Sequence, residues 1–352
     1  VAGSAEIEAM RHALALAADP AAPLGPNPRV GCVLLGPDGS VLGEGFHHGA
    51  GSPHAEVEAL RAAGDQARGA TAVVTLEPCD HIGRTGPCSR ALLAAGVARV
   101  VFGQPDTTAA AAGGARTLRA AGVDVEGGVL AADASALNPE WTFAARAGRP
   151  WVTWKFASSL DGRVAAADGS SRWITGPESR ADVHAWRSRC HAVVVGTGTV
   201  LADDPALTVR DAWDEPLPAK AQPTRVVVGL RPPPAQARVW DATAPTRHLA
   251  TRDPAAVLAA LAADGAHHVW LEGGPRLAAA FVAAELVDRV VAYYAPLLLG
   301  EGLGALGPAG VPTLAAAPRL QVTDVRAVGS DVRVVAERAD RAAGRQPEEE
   351  ES

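Results

Sequence analysis

Short apolar runs alternate with longer stretches of mixed polarity along most of this chain, and the alternation predicts sheets covered by helices. In the first part, strands are predicted at Val30 to Leu35, Val41 to Phe46, Thr71 to Leu76, Arg99 to Phe102 and Val123 to Val125, the first two joined by a Pro37-Asp38-Gly39 turn. Helices are predicted at Glu6 to His12, Ala55 to Ala63, Ser89 to Ala95, Arg116 to Ala121 and through Trp141 and Phe143. Gly64, Gly96 and Gly122 stand where three of these helices end, a position that favours a residue free to take positive φ.

The pattern restarts after Ala147-Gly148-Arg149-Pro150. Strands are then predicted at Trp151 to Lys155, Ala192 to Val195, Thr224 to Val228, His268 to Leu271, Arg289 to Tyr294 and Val332 to Ala336, with helices at Glu178 to Ser188, Pro254 to Ala263 and Pro275 to Ala284. The expected organisation is one domain over residues 1–147, a second over 150–340, and a disordered acidic tail over 341–352, which has little to bury. Asp211 to Gln222, rich in proline and charge, is expected to be a surface excursion. No internal repeat is evident.

Composition narrows the function. With 48% hydrophobic and 20% charged residues, the 352-residue chain has enough to bury real cores, and two domains are expected. A formal net charge of −7, without any Lys/Arg-rich run, argues against binding nucleic acid or an anionic membrane. The four cysteines, Cys32, Cys79, Cys88 and Cys190, fit a reduced compartment better than a disulfide framework. The first predicted helix is acidic where a signal peptide would be basic, and no stretch has the length of a membrane span, so a cytoplasmic location is expected.

The chemistry is concentrated in Pro53-His54-Ala55-Glu56, Glu77-Pro78-Cys79 and Gly86-Pro87-Cys88. One imidazole and two thiolates offer three ligands to Zn2+, and three rather than four leave a position for water, the mark of a catalytic rather than a structural site. Glu56, two residues past the histidine, is suited to take a proton from that water and deliver it to leaving ammonia. This is the arrangement of the zinc deaminases of nucleobases. A proline precedes each ligand, which predicts that the ligands open helices, where the dipole favours thiolate. Glu77 reads as a structural or substrate-side carboxylate. His47, His48 and His81 fall outside the ligand pattern.

Nucleobase deaminases commonly close this site with Cys-x-x-Cys, whereas here eight residues separate Cys79 from Cys88. That long run resembles the bifunctional riboflavin-biosynthesis pyrimidine deaminase/reductase family. So do Pro26-Asn27-Pro28-Arg29-Val30-Gly31-Cys32 and Gly45-Phe46-His47 in the first half. Lys155-Phe156-Ala157-Ser158-Ser159-Leu160-Asp161-Gly162-Arg163, Ser171-Arg172-Trp173-Ile174-Thr175, Val200 to Thr208 and Leu271-Glu272-Gly273-Gly274-Pro275 extend the resemblance through the second. It covers roughly residues 5 to 338.

The resemblance implies an α/β architecture: a cytidine-deaminase-like domain followed by a dihydrofolate-reductase-like domain, each a mixed sheet flanked by helices. It implies deamination of diaminohydroxyphosphoribosylaminopyrimidine, then reduction of the ribosyl group to ribityl by NADPH, in a homo-oligomer associating through the reductase half. Asn27, Asp80, His81 and Arg84 would line the first substrate pocket. Ser158, Trp173, Thr199, Asp203, Gly273 and Gly274 would contact NADPH. Ser171, Arg187, Leu207, Arg210 and Glu272 would contact the phosphorylated substrate, with Lys155 and Asp204 polarising and protonating the sugar. Read without the resemblance, this half is less legible. It lacks the G-x-G-x-x-G fingerprint, but Gly196-Thr197-Gly198-Thr199 and Gly273-Gly274 both follow apolar strands, where backbone N–H groups approach a phosphate.

One departure stands out. The family usually has Asp-Pro-Asn-Pro where this chain has Asp106-Thr107-Thr108-Ala109. A deaminase of a different pyrimidine or nucleotide, joined to a diverged reductase domain, is the reading this loop leaves open.

Overall fold

The computed structural model describes residues 1–19, 27–49, 52–81, 86–106, 108 and 112–339. Arg84, most of the altered loop after Asp106 and the acidic tail therefore lie outside the described residues. The chain divides into two compact units, Val1–Ala147 and Gly148–Ser352.

The first unit runs α1 (Ser4–Ala18), β1 (Gly31–Leu35), β2 (Val41–Phe46), α2 (Ala55–Ala63), β3 (Thr71–Leu76), α3 (Cys88–Ala95), β4 (Arg99–Gln104), α4 (Gly114–Ala120), β5 (Asp124–Gly127), α5 (Ala131–Leu137) and α6 (Pro139–Ala147). Its sheet has the order β2-β1-β3-β4-β5. β1 is antiparallel to both of its neighbours, and β3, β4 and β5 are parallel. Side chains alternate across the sheet. Cys32, Leu34, Ala72, Val74 and Val100 meet α2, α3 and α4 through Ala55, Ala59, Leu92 and Leu118. Val33, Leu35, Val73 and Val101 meet Ala9, Met10 and Ala13 of α1 on the other face.

Small residues set how closely helices approach this sheet. A Cβ on Gly31 would lie 2.0 Å from the Ala13 carbonyl oxygen, and one on Gly43 would lie 2.5 Å from that of Ala59. α2, which carries the candidate acid/base, therefore rests directly on the β2 backbone.

The second unit runs β6 (Trp151–Ser159), α7 (Pro177–Arg187), β7 (Ala192–Gly196), α8 (Thr197–Asp203), β8 (Thr224–Val228), β9 (Thr246–Leu249), α9 (Pro254–Ala263), β10 (His268–Leu271), α10 (Pro275–Ala283), β11 (Arg289–Ala295), β12 (Leu320–Val328) and β13 (Asp331–Arg338). Its eight strands have the order β12-β13-β11-β6-β10-β7-β8-β9. From β11 to β9 all pairs are parallel, while β13 and β12 add an antiparallel edge. Two cores result. Val152, Trp154, Val194, Val226, Val269 and Leu271 face α9 and α10. Val193, Val195, Val227, Trp270, Val291 and Tyr293 face the side of α7 and α8.

Four elements escape the hydrophobic pattern: α5, α8, β9 and β12. β12 is exposed at most positions, and a bulge between Val322 and Asp324 breaks its alternation. β6 continues to Ser159 past the expected end at Lys155, because its polar residues there are partly or fully buried.

Gly43→Ala is expected to destabilise the first unit by about 1–3 kcal/mol, since α2 must lift from β2. Hydrogen exchange of β1 to β3 across a urea series measures this, and unchanged protection would contradict it.

Candidate functional site

Three elements of the first unit deliver the metal ligands. His54 is the N-cap of α2, Cys79 follows the C-terminal end of β3, and Cys88 is the first residue of α3. Their ligand atoms all lie within 4.8 Å of one another, and no other such cluster occurs among the described residues. His54 Nδ1 is 3.2 Å from Cys88 Sγ and 3.5 Å from Cys79 Sγ.

The expectation that all three ligands open helices is corrected at Cys79, which sits in the connection after β3. It still feels the start of α3, because the Cys88 backbone N–H donates to Cys79 Sγ at 3.4 Å. The Cys88 side chain beside it, with His54 and that N–H, outweighs burial and holds the Cys79 thiol well below its ordinary value. The same contact and burial push the Cys88 thiol up. An imidazole and two sulfurs, one readily a thiolate, suit zinc. Glu56 is 4% exposed, and burial raises its carboxyl above the ordinary value.

The surrounding residues are tied by hydrogen bonds. His47 is buried, and both of its ring nitrogens are engaged: Nδ1 lies 3.1 Å from the Pro53 carbonyl oxygen and Nε2 lies 2.9 Å from Asn27 Nδ2. It therefore links Asn27 to the residue before His54, a role its position in the sequence did not reveal. His48 is exposed. Asp80 accepts hydroxyl hydrogen bonds from Ser89 and Thr117, so its oxygens brace α3 and α4, and the same two contacts lower its carboxyl. His81 Nδ1 is buried with no hydrogen-bond partner among the described residues. Glu77 accepts backbone N–H groups from Asp106, Gly113 and Ala115 at 3.0–3.3 Å. Gly114 sits where a Cβ would lie 1.8 Å from the Pro78 carbonyl oxygen, so the start of α4 is pressed against the cysteine loop.

The second unit gathers a charged cluster from Lys155 in the middle of β6, Arg187 at the end of α7 and Glu272 just past β10. Glu272 receives Arg187 in a two-pronged pair, Nε to Oε1 at 2.7 Å and Nη2 to Oε2 at 2.6 Å, and also the indole N–H of Trp270. Burial alone would raise this carboxyl, but Arg187, Lys155 and Trp270 bring it down to about 2. Burial lowers the Lys155 ammonium, Glu272 opposes that shift and Arg187 adds to it. One helical turn before Arg187 stands His184, which the sequence reading missed. Burial and the Arg187 charge lower it to about 4, and its Nδ1 has no hydrogen-bond partner among the described residues. Thr208 Oγ1 beside it is likewise buried without one.

The site loop from Asp204 to Arg210 is held from several sides. The Arg238 N–H donates to Asp204 Oδ1, Arg225 to the Ala206 carbonyl and Arg187 to the Thr208 carbonyl. Asp204 and Leu207 adopt φ of 39° and 53°, uncommon for residues with side chains. Leu207 is turned into the core. Arg210 pairs with Asp214 at 3.5 Å.

Of the expected cofactor residues, Thr199 and Gly274 are brought together, with the Gly274 N–H donating to Thr199 Oγ1 at 3.3 Å. Ser158 is fully buried and its hydroxyl has no partner among the described residues. Asp203 accepts from Arg172 through its carbonyl. Trp173 is 68% exposed and carries the Arg180 guanidinium 4.7 Å above its ring, so it is not a core residue. Ser171, half-buried, lies two residues before Trp173.

Fold and site together define a two-domain enzyme, a zinc-deaminase-type unit followed by a reductase-type unit. The family model "Cytidine and deoxycytidylate deaminase zinc-binding region" matches residues 4–104, and "RibD C-terminal domain" matches residues 150–334. The chain is 49% identical over 309 residues to the riboflavin biosynthesis protein RibD of Mycobacterium tuberculosis, covering 87% of this chain and 90% of that one. It is 42% identical to the Escherichia coli RibD over 341 residues, covering 87% and 92%. A solved RibD from Acinetobacter baumannii superposes with a TM-score of 0.85 at 39% identity, covering 95% of this chain and 98% of that one. The chain belongs to the RibD family of bifunctional riboflavin-biosynthesis enzymes.

The charged cluster predicts a pH signature. An imidazole held neutral in the fold binds its proton more readily when unfolded, so His184 makes the second unit lose stability as pH falls from 6.5 to about 4. A carboxylate held anionic adds a further loss, up to roughly 3 kcal/mol, as pH falls from 4.5 to about 2 through Glu272. All of the eight tryptophans except Trp141 lie in this unit, so their fluorescence reports its urea midpoint. His184→Gln is expected to flatten the upper part of the slope and Glu272→Gln the lower. A variant with the parent's slope would exclude that residue as the source.

Proposed function

We propose that the first unit deaminates diaminohydroxyphosphoribosylaminopyrimidine and the second reduces the ribosyl group of the product to ribityl with NADPH. The observation that carries the first half is the buried Glu56 carboxylate two residues from His54, hydrogen-bonded to Cys88 beside the converging His54, Cys79 and Cys88. A solved relative from Thermotoga maritima, 30% identical with a TM-score of 0.79 and covering 95% of this chain and 99% of that one, is described as a diaminohydroxyphosphoribosylaminopyrimidine deaminase and 5-amino-6-(5-phosphoribosylamino)uracil reductase.

His54, Cys79 and Cys88 would hold zinc, which when bound acidifies water. Glu56 accepts a proton from the attacking water and returns it to the departing amino group, which leaves as ammonia. Burial keeps bulk water from competing for that proton. Asn27, held by His47, orients the ring or ribose. His81 and Arg84 complete the pocket, and Asp80 keeps its wall in place.

In the second unit, NADPH would supply hydride when bound. Ser158, with its unspent hydroxyl, Trp173, Thr199, Asp203, Gly273 and Gly274 hold it, in keeping with binding beyond the carboxyl ends of parallel strands. Arg187, Arg210, Ser171, Glu272 and the Leu207 backbone bind the phosphorylated sugar, guanidinium being suited to phosphate. Lys155 polarises the sugar carbonyl and Asp204 serves the proton that follows hydride. The protein works in the cytoplasm as a homo-oligomer on a small phosphorylated pyrimidine, without nucleic acid. No helix among the described residues is long and apolar enough to cross a membrane.

Glu56→Gln is expected to lower ammonia release by at least roughly 100-fold while zinc content and fold persist. Cys88→Ser is expected to lose zinc as well. Retained turnover in the first variant or full zinc in the second would refute the assigned role. Mass analysis of products with and without NADPH tests both steps and their order. Ammonia release from another pyrimidine, but not from this one, would favour a diverged deaminase.

A further inference from the structure

We propose that Trp270 is a positioning residue of the reductase, holding Glu272 so that one carboxylate oxygen is reserved for substrate. The proposal rests on the reading of Glu272 as a substrate contact. Trp270 lies on β10 two residues before Glu272, so strand periodicity puts both on the same face of the sheet. It is fully buried, and its indole N–H donates to Glu272 Oε1.

The arrangement saturates one oxygen and leaves capacity on the other. Oε1 accepts both the Trp270 indole and Arg187 Nε, whereas Oε2 accepts Arg187 Nη2. An ionised carboxylate has about two acceptor sites on each oxygen. Oε2 therefore keeps a site for a ligand hydroxyl, and the carboxylate cannot turn without giving up the indole.

The indole is itself fixed. It stacks on Trp186 with ring centroids 5.6 Å apart and planes 15° from parallel. β10 is paired on both sides, with Trp270 opposite Thr153 of β6 and Val193 of β7. Trp186 directly precedes Arg187 on α7, so the indole stacks on one residue and shares Glu272 with the next. A residue serving the core alone would need the ring but not the N–H.

That distinction supplies the test. Trp270→Phe keeps an aromatic ring in the stack and removes the donor. The KM for 5-amino-6-(5-phosphoribosylamino)uracil is expected to rise roughly tenfold, the scale of one hydrogen bond to a charged group. The KM for NADPH and ammonia release from the first site stay unchanged, and kcat changes less than KM. Placing β-(3-benzothienyl)alanine at position 270 exchanges the N–H for sulfur at nearly constant volume, and the same rise there excludes a packing loss. An unchanged KM in that variant, while Glu272→Gln raises it, would overturn the role of Trp270 alone. An unchanged KM in Glu272→Gln would overturn the reading of Glu272 and the proposal with it. An equal loss of NADPH affinity would mark general damage and also count against it.

Discussion

Both units bury parallel strands on both faces, and this constraint decides where chemistry is found. A strand covered on each side has no solvent face on which to display a polar group, so reactive side chains collect past its carboxyl end. In the first unit, β3 ends at Leu76 and is followed by Glu77 and Cys79, while α2 and α3 bring His54, Glu56 and Cys88 to the same cluster. The antiparallel pairing of β1 puts its start beside the end of β3, which brings the segment after Asn27 to the same edge. In the second unit, Ser158 is among the last residues of β6, while β7 leads to Thr197 and Thr199 and β10 to Glu272, Gly273 and Gly274. Both units thus gather polar residues at or past the carboxyl ends of buried strands.

Two buried carboxylates show how the surroundings divide the work. Burial raises both Glu56 and Glu272. Among the described residues no guanidinium shifts Glu56, so burial dominates among its protein neighbours, and a cation held by His54, Cys79 and Cys88 would pull the other way. Glu272 has Arg187 in a two-pronged contact and Lys155 nearby, and it ends far below the ordinary range. The first environment suits a group that exchanges a proton, the second a group that stays anionic and binds.

The sequence was most legible where one periodicity held for a whole element. α2, β3, β8, β10 and α9 have the expected boundaries because each carries a dense apolar run or stripe. β12 was hidden by its bulge and exposure, and α8 by glycines that read as a turn. The metal ligands were legible because their residue types are rare and closely spaced. His184 and Trp270 were not, since a histidine on an amphipathic helix and a tryptophan in a buried strand look like ordinary packing. Only the fold shows that both adjoin the Arg187–Glu272 pair.

The altered loop after Asp106 can be weighed in the same terms. The resemblance implies prolines here, which would stiffen a loop through φ, where this chain has Thr107-Thr108-Ala109. In this chain the described ends of the loop are fixed by Glu77, whose carboxylate takes the N–H groups of Asp106, Gly113 and Ala115. Asp106 in turn is buried, and its Oδ1 accepts the backbone N–H and the hydroxyl of Thr108. Gly114 then rests on the Pro78 carbonyl, one residue from the ligand Cys79. The described ends of the loop are thus anchored by a carboxylate outside it. Because that carboxylate lies two residues before Cys79, the described ends of this loop and the metal ligand are held by the same short segment.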